Sequence, residues 1–271
     1  MSAPVHLWSV ASARDAALLE PLARAVFGDG QRPRGWFDRK LARECVVPER
    51  SLVVSRSRDP AEAGAWIGYG LLGRPASLGS TARTAGIGLR PAWRGRGLGR
   101  RLVGALLEQA RADGADAMLT PASEDAVPFY ERCGMQPHQV THTLLAFGRG
   151  AATPPISEPW DAPTPGPTCS GWFREAWERT RARATLRVCG GRDRFDVSFE
   201  GTAHVAMRWT SADGLPQGPR AWLNAVPEGA PALLHEVPAD APFLSGLVDG
   251  EWTAVQTTVA MRASWAESTA G

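Results

Sequence analysis

The chain has 271 residues, 44% of them hydrophobic and 21% charged, with a formal net charge of +2. That balance excludes a disordered chain and leaves no broad basic surface for nucleic acid, and the length suffices for one large or two modest cores. No apolar run approaches the ~20 residues of a membrane span, and the start, MSAPVHLWSV, lacks the basic-then-apolar layout of a signal peptide.

Four scattered cysteines (Cys45, Cys133, Cys169, Cys189), with no C-x-x-C pair and no metal-like spacing to the five histidines, indicate a reducing cytoplasm and no structural metal. Eleven tryptophans, seven of them after Gly150, read as core and inter-domain packing.

Val5–Trp8 reads as a first strand. Leu18, Leu19, Leu22 and Val26, at near-3.6 spacing, predict a helix over Ala13–Val26 that stops at Gly28. A shorter helix follows over Pro33–Glu44. Ser51–Ser55 and Ala65–Leu72 read as strands around the Asp59-Pro60 turn, and Thr84–Leu89 as the next strand. A helix over Leu98–Ala112 stops at Gly114. Asp116–Thr120 is a buried-type strand, and Ala126–Cys133 a short helix capped by Gly134. Gln136–Thr143 and Leu144–Phe147 read as one long bent strand.

Between strand and helix lies the most informative segment, Ala85–Arg101, reading AGIGLRPAWRGRGLGRR. Glycine lets backbone approach a ligand closely and take φ > 0. A helix beginning there leaves its first N–H groups unpaired and turns the positive end of its dipole to the loop. Such a cradle suits a pyrophosphate. A dinucleotide motif needs glycine where Arg100 stands, and no P-loop string occurs. An Arg/Gly nucleic-acid patch is disfavoured by the run's shortness and the small net charge.

The string Arg94-x-x-Gly97-x-Gly99 resembles the coenzyme A loop of the GNAT acetyltransferases, [QR]-x-x-G-x-[GA], and the resemblance extends through LRPAWRGRGLGRRLV to AVPFYERCGM, over roughly Leu7 to Phe147. It implies an α/β fold of mixed α+β type, with a central mixed sheet splayed between its fourth and fifth strands. It also implies acetyl-CoA as co-substrate. The pyrophosphate would rest on the amides of Gly95, Arg96, Gly97, Leu98, Gly99 and Arg100, with Arg94 or Arg96 adding charge, and the pantetheine arm would pair with the edge of Ile87, Gly88 and Leu89. Ser123 stands where relatives often carry an asparagine that touches that arm.

Direct acyl transfer to an amine needs one proton removed from the ammonium and one given to the departing thiolate. Tyr130 matches the family's tyrosine for the second, since a phenol (pKa ~10) is a competent donor to a leaving thiolate (thiol pKa ~8.5). For the base, Thr84–Leu89 holds no acid. Glu124, Glu44, His138 and His142 are the alternatives, with Glu124 taken as the leading one. The fold places the acceptor pocket at Gly28–Phe37 and His138–His142, with Trp36, Phe37 and His138 as walls. No long acidic groove marks a basic peptide as acceptor, so a small amine or amino-acid-like molecule is expected, bound by a monomer or homodimer. The alternatives are a longer acyl group or a non-catalytic acyl-CoA-binding protein.

Residues 149–171 hold six prolines and read as a semi-rigid linker between a first domain (1–148) and a second (172–271). In the second, strands at Ala184–Cys189, Arg194–Glu200 and Ala203–Thr210, a helix at Arg220–Val226, a strand at Ala232–Val237, a short helix at Pro242–Val248 and a strand at Trp252–Arg262 repeat the order of the first from its second strand onward. Ala117-Met118-Leu119 falls on Ala232-Leu233-Leu234, and Pro128-Phe129 on Pro242-Phe243. We read this half as a decayed internal repeat. Its counterpart of the glycine loop, Ser211–Pro219, carries Asp213, Pro216 and Pro219 and no arginine, so it should repel a pyrophosphate.

Overall fold

In a computed structural model, residues 4–10, 19–28, 36–75, 78–151, 156–159, 183–188, 193–200, 203–210 and 217–265 are described. The first part of the expected first helix, most of the expected linker and the segment 211–216 lie outside them.

The first half runs β1 (His6–Ser9), α1 (Leu19–Phe27), α2 (Trp36–Arg43), β2 (Leu52–Ser55), β3 (Trp66–Gly73), β4 (Thr81–Leu89), α3 (Leu98–Ala112), β5 (Ala117–Ala122), α4 (Val127–Glu131) and β6 (Gln136–Phe147). The second runs β7 (Ile156–Pro159), β8 (Arg183–Val188), β9 (Asp193–Glu200), β10 (Ala203–Thr210), α5 (Gln217–Ala225), β11 (Pro231–Pro238), α6 (Leu244–Val248) and β12 (Thr253–Ser264). Periodicity located these elements because each buries one face: α3 sinks Leu102, Val103, Leu106 and Ala110 and leaves its arginines outside. One strand was not expected. Ile156–Pro159, inside the presumed linker, pairs antiparallel with β8 as β1 pairs with β2. Four residues ending in proline give no alternation to read.

The described strands form one sheet, in the order β1-β2-β3-β4-β5-β12-β6-β11-β10-β9-β8-β7. Read from either end, five strands of one half are followed by the last strand of the other. β12 lies against β5 (Val259↔Ala122 to Ser264↔Ala117), and β6 lies against β11 (Pro231↔Phe147 to Pro238↔Thr141). The two exchanged strands then pair antiparallel with each other, from Thr253↔Leu145 to Arg262↔Gln136. The sheet therefore does not part where the composition changes.

The exchange reaches into the cores. Val259, Met261 and Ala263 of β12 are buried with Leu102, Leu106 and Met118 of the first half. Leu144 and Ala146 of β6 are buried with Phe195, Trp222 and Trp252 of the second. A third cluster, on the other face of the first half, gathers Leu19, Leu22 and Val26 with Trp36, Phe37, Trp66 and Tyr69. Met261 is 0% exposed, and deleting such a side chain costs ~2–5 kcal/mol. Met261→Ala should therefore lower the denaturation midpoint of the first half although the residue belongs to the last strand. Chemical denaturation followed by a probe in each half should show both transitions moving together.

Candidate active site

β4 and β5 run parallel through Thr81↔Ala117, Ala82↔Met118 and Arg83↔Leu119, and there the pairing ends. Beyond that point β4 pairs only with β3, and β5 continues against β12. The edge of Thr84–Leu89 facing β5 is thus left open, with N–H and C=O groups available to an extended ligand. Two successive β4 residues oppose one step of β3 between Leu72↔Thr84 and Leu71↔Gly86, so Ala85 forms a bulge at the start of the gap.

Past Leu89 a short 3-10 turn (Pro91–Trp93) leads into the glycine loop. Gly95 and Gly97 have φ of 74° and 76°, and Gly97 is the residue that precedes α3, with no side chain capping the helix. The helix's first backbone bond runs from Arg101 N–H to the Gly97 carbonyl. Among the described residues, none accepts from the N–H groups of Gly95, Arg96, Gly97, Leu98, Gly99 or Arg100. These donors lie at the start of a 15-residue helix, where the positive end of its dipole falls.

Beside them lies a cavity of about 520 Å³ walled by Val26 and Phe27 of α1, Ile87–Leu89 of β4, the loop glycines and Phe129 and Tyr130 of α4. Close packing shapes the wall, since a Cβ on Gly88 would overlap Val26. Arg94 holds it in place, donating from Nε to the Leu89 carbonyl (3.0 Å) and from Nη2 to the Val26 carbonyl (2.9 Å). The side chain expected to add positive charge is thus committed to tying α1 to β4. Arg96 lies over the Trp93 ring at 4.9 Å. Arg100, read as a loop amide, lines the cavity, as does Arg132, which sequence reasoning missed. Its position two residues after Tyr130 was the available signal.

Tyr130 is 8% exposed and packs edge-on against Phe129 (5.0 Å, 70°). Burial, and secondarily the nearby Cys133, push its phenol up to about 12. Burial likewise raises the Cys133 thiol, opposed by Arg100 and Arg132.

Other expected site residues fall elsewhere. Ser123 and Glu124 are exposed, on the short turn before α4, and neither borders the cavity. Trp36 (6% exposed) and Phe37 (3%) are core residues rather than pocket walls. They stack edge-on with each other, and Phe37 with Tyr69, because the inward face of α2 seats them on β3. His138 is exposed on β6, and His142 Nδ1 is hydrogen-bonded to Thr257 Oγ1 (3.0 Å) on β12. Glu44 is 7% exposed and ion-paired with Arg83 (3.2 Å). No group of His, Cys, Asp or Glu able to hold a metal occurs among the described residues, and no described helix is long and apolar enough to cross a membrane.

Residues 18–135 match the model of the acetyltransferase (GNAT) family. The glucosamine 6-phosphate N-acetyltransferase of Trypanosoma brucei brucei is 39% identical over 49 residues, 18% of this chain and 33% of that enzyme, so the likeness spans about a third of its length. A Pyrococcus horikoshii protein assigned to the acetyltransferases superposes with a TM-score of 0.68 at 14% identity, over 97% of this chain and 90% of its own. A tandem GNAT protein from the clavulanic acid biosynthesis pathway superposes at 0.60 and 15% identity, over 96% and 98% of the two chains. At such identities the structures speak for the fold alone. The family's pattern thus places residues 18–135 of this chain in the GNAT acetyltransferase family, and a tandem GNAT protein shares the fold of the chain end to end.

Proposed function

We propose that the first half transfers an acetyl group from acetyl-CoA to the amino group of a small molecule. The observation that carries this reading is the set of six consecutive N–H groups, Gly95 to Arg100, without an acceptor among the described residues, beside a cavity that follows the open edge of β4. A diphosphate satisfies those donors, and Arg100 and Arg132 on the rim add charge. The thioester of acetyl-CoA supplies the activated acyl group.

The open edge from Thr84 to Leu89 orients the arm, and the apolar wall of Phe129, Ile87 and Leu89 excludes water from the reacting end. Tyr130 stands on that wall as the donor to the departing sulfur. Its raised proton affinity does not disqualify it, because the same burial raises the proton affinity of a thiolate leaving into the same cavity. Glu124, exposed and away from the cavity wall, receives no role in proton removal.

The division expected from composition, a catalytic unit over 1–148, a connecting stretch over 149–171 and a second unit over 172–271, enters this reading as one site per chain. The counterpart loop Ser211–Pro219 has two prolines without N–H groups and an aspartate where the first half has arginines. Calorimetry should therefore find one acetyl-CoA per chain.

Thiol release from acetyl-CoA, screened over small amines beginning with glucosamine 6-phosphate, should find an acceptor, and Tyr130→Phe should lower kcat by about 10²–10⁴-fold at unchanged acetyl-CoA affinity. Unchanged turnover in that variant removes Tyr130 from the chemistry. Tight binding without thiol release from any amine points instead to a binding-only protein, and succinyl- or malonyl-CoA in the same assay tests a longer acyl group. Tyr130 also has a direct spectroscopic test. Its phenol is raised from 10 to about 12, so its contribution to stability is complete below pH 10 and is lost as the pH climbs to about 12. The ultraviolet difference between wild type and Tyr130→Phe should show phenolate appearing with a midpoint near 12; a midpoint near 10 would mean that the ring is solvated.

A further inference from the structure

Arg83↔Leu119 is the last pair between β4 and β5, so Thr84 and Thr120 are the first residues of the two strands where they part. Residues paired across a sheet point to the same face. Thr84 pairs with Leu72 and Thr120 with Met261, and both partners belong to the core cluster beneath α3. The two threonines therefore share the face on which Ile87, Phe129 and Tyr130 lie, the side chains that also wall the cavity. Thr84 is 3% exposed and Thr120 1%. The Thr120 hydroxyl is shielded from solvent and has no hydrogen-bond partner among the described residues.

Buried hydroxyls are normally satisfied, and leaving one unpaired costs stability. The neighbours of Thr120 on its face, Met118 and Ala122 along β5 and Met261 across from it, are apolar and offer no partner. Valine would fill the same space without that cost, so the hydroxyl marks a place for a polar guest. The length of the gap tells which part of the cofactor arrives there. The open edge from Thr84 to Leu89 is five steps long, ~17 Å at ~3.3 Å per residue, and the glycine loop for the diphosphate follows its outer end. From the phosphate to the acyl oxygen of acetyl-CoA there are about 15 bonds, as many as in roughly five residues of extended backbone. An arm laid along the edge therefore brings the acyl carbonyl to the level of Thr84 and Thr120.

We propose that Thr120, with Thr84 beside it, receives the acyl end of the cofactor, the Thr120 hydroxyl donating a hydrogen bond to the thioester carbonyl oxygen. The inference rests on the acetyl-transfer reading above. As the free amine attacks, its lone pair forms the N–C bond and the carbonyl π pair moves onto oxygen. A donor aimed at that oxygen binds the developing oxyanion more strongly than the ground-state carbonyl. The pair then returns, the C–S bond breaks, the thiolate takes the Tyr130 proton, and the acylated nitrogen gives one back to the phenolate. Thr120 has no bond to a described residue to give up when the carbonyl arrives. Tyr130 and Thr120 thus serve the two ends of the breaking thioester from one face of the sheet.

Calorimetry with acetyl-CoA and with CoA, which lacks the carbonyl, isolates the acyl contact in wild type, Thr120→Val and Thr120→Ser. Thr120→Val should melt no lower than wild type, since it loses no bond to a described residue. It should bind CoA as wild type does and acetyl-CoA ~2–15-fold more weakly, the worth of one hydrogen bond, with Thr120→Ser restoring the difference. The infrared carbonyl stretch of bound ¹³C-labelled acetyl-CoA should lie lower in wild type than in Thr120→Val. With an amine that turns over, kcat should fall ~10²–10³-fold, the usual effect of losing an oxyanion donor. If Thr120→Val does not fold, Thr120→Ala carries the same comparison of the two ligands. An unchanged ratio of acetyl-CoA to CoA affinity together with an unchanged carbonyl stretch overturns the proposal. So does an equal loss of both affinities, or a lower melting temperature with both intact, which would mean a hydroxyl that only holds an internal water. If wild type binds neither ligand, the cofactor reading falls too; if it binds both and only the comparison fails, that reading stands.

Discussion

The antiparallel pairing of β6 with β12 is the constraint on which the molecule depends. Each of these strands closes the sheet of the half to which it does not belong, and each carries apolar side chains into that half's core. Separating the halves would expose Met261 and Val259 on one side and Leu144 and Ala146 on the other, and would strip β6 and β12 of backbone partners on both edges and β5 and β11 of one each. The first half cannot complete its core without the second.

That dependence also shapes the site. β5 is held at its outer edge by β12, which leaves it free to diverge from β4 after Leu119. The gap so created has Gly95, Gly97, Gly99 and Tyr130 along the cavity wall, and at its start Arg83 is ion-paired with Glu44 and with Glu236 of β11. Arg94 shows the economy of the arrangement, as its guanidinium fixes the end of α1 to the end of β4.

What could be read in the sequence was what is contiguous in it. The loop from Arg94 to Gly99 and the helix after it form one local unit, in which glycine φ values, the missing cap and the apolar face of α3 follow from neighbouring residues. Tyr130 was marked out in the sequence by the match of its FYE segment to the family, and α4 brings it to the cavity wall. The repeat was visible because matched residues recur in the same order, as Ala117–Leu119 and Ala232–Leu234 do on β5 and β11.

What escaped was whatever depends on a distant partner. The alternation of β12 is the same whether it lies beside β11 or between β5 and β6, so only the assembled sheet shows the exchange. Trp36 and Phe37 carry the same side chains whether they line a pocket or fill a core, and the seat of α2 on β3 puts them inside. Glu236 lies 153 residues from Arg83, in a strand with no motif, and a bulge brings the two together. The glycine loop and the helix start behind it were thus written in consecutive residues, whereas the closure of the core and the ion pairs at the start of the gap arose only when two halves folded as one sheet, because strand pairing and ion pairing join groups that the chain itself keeps far apart.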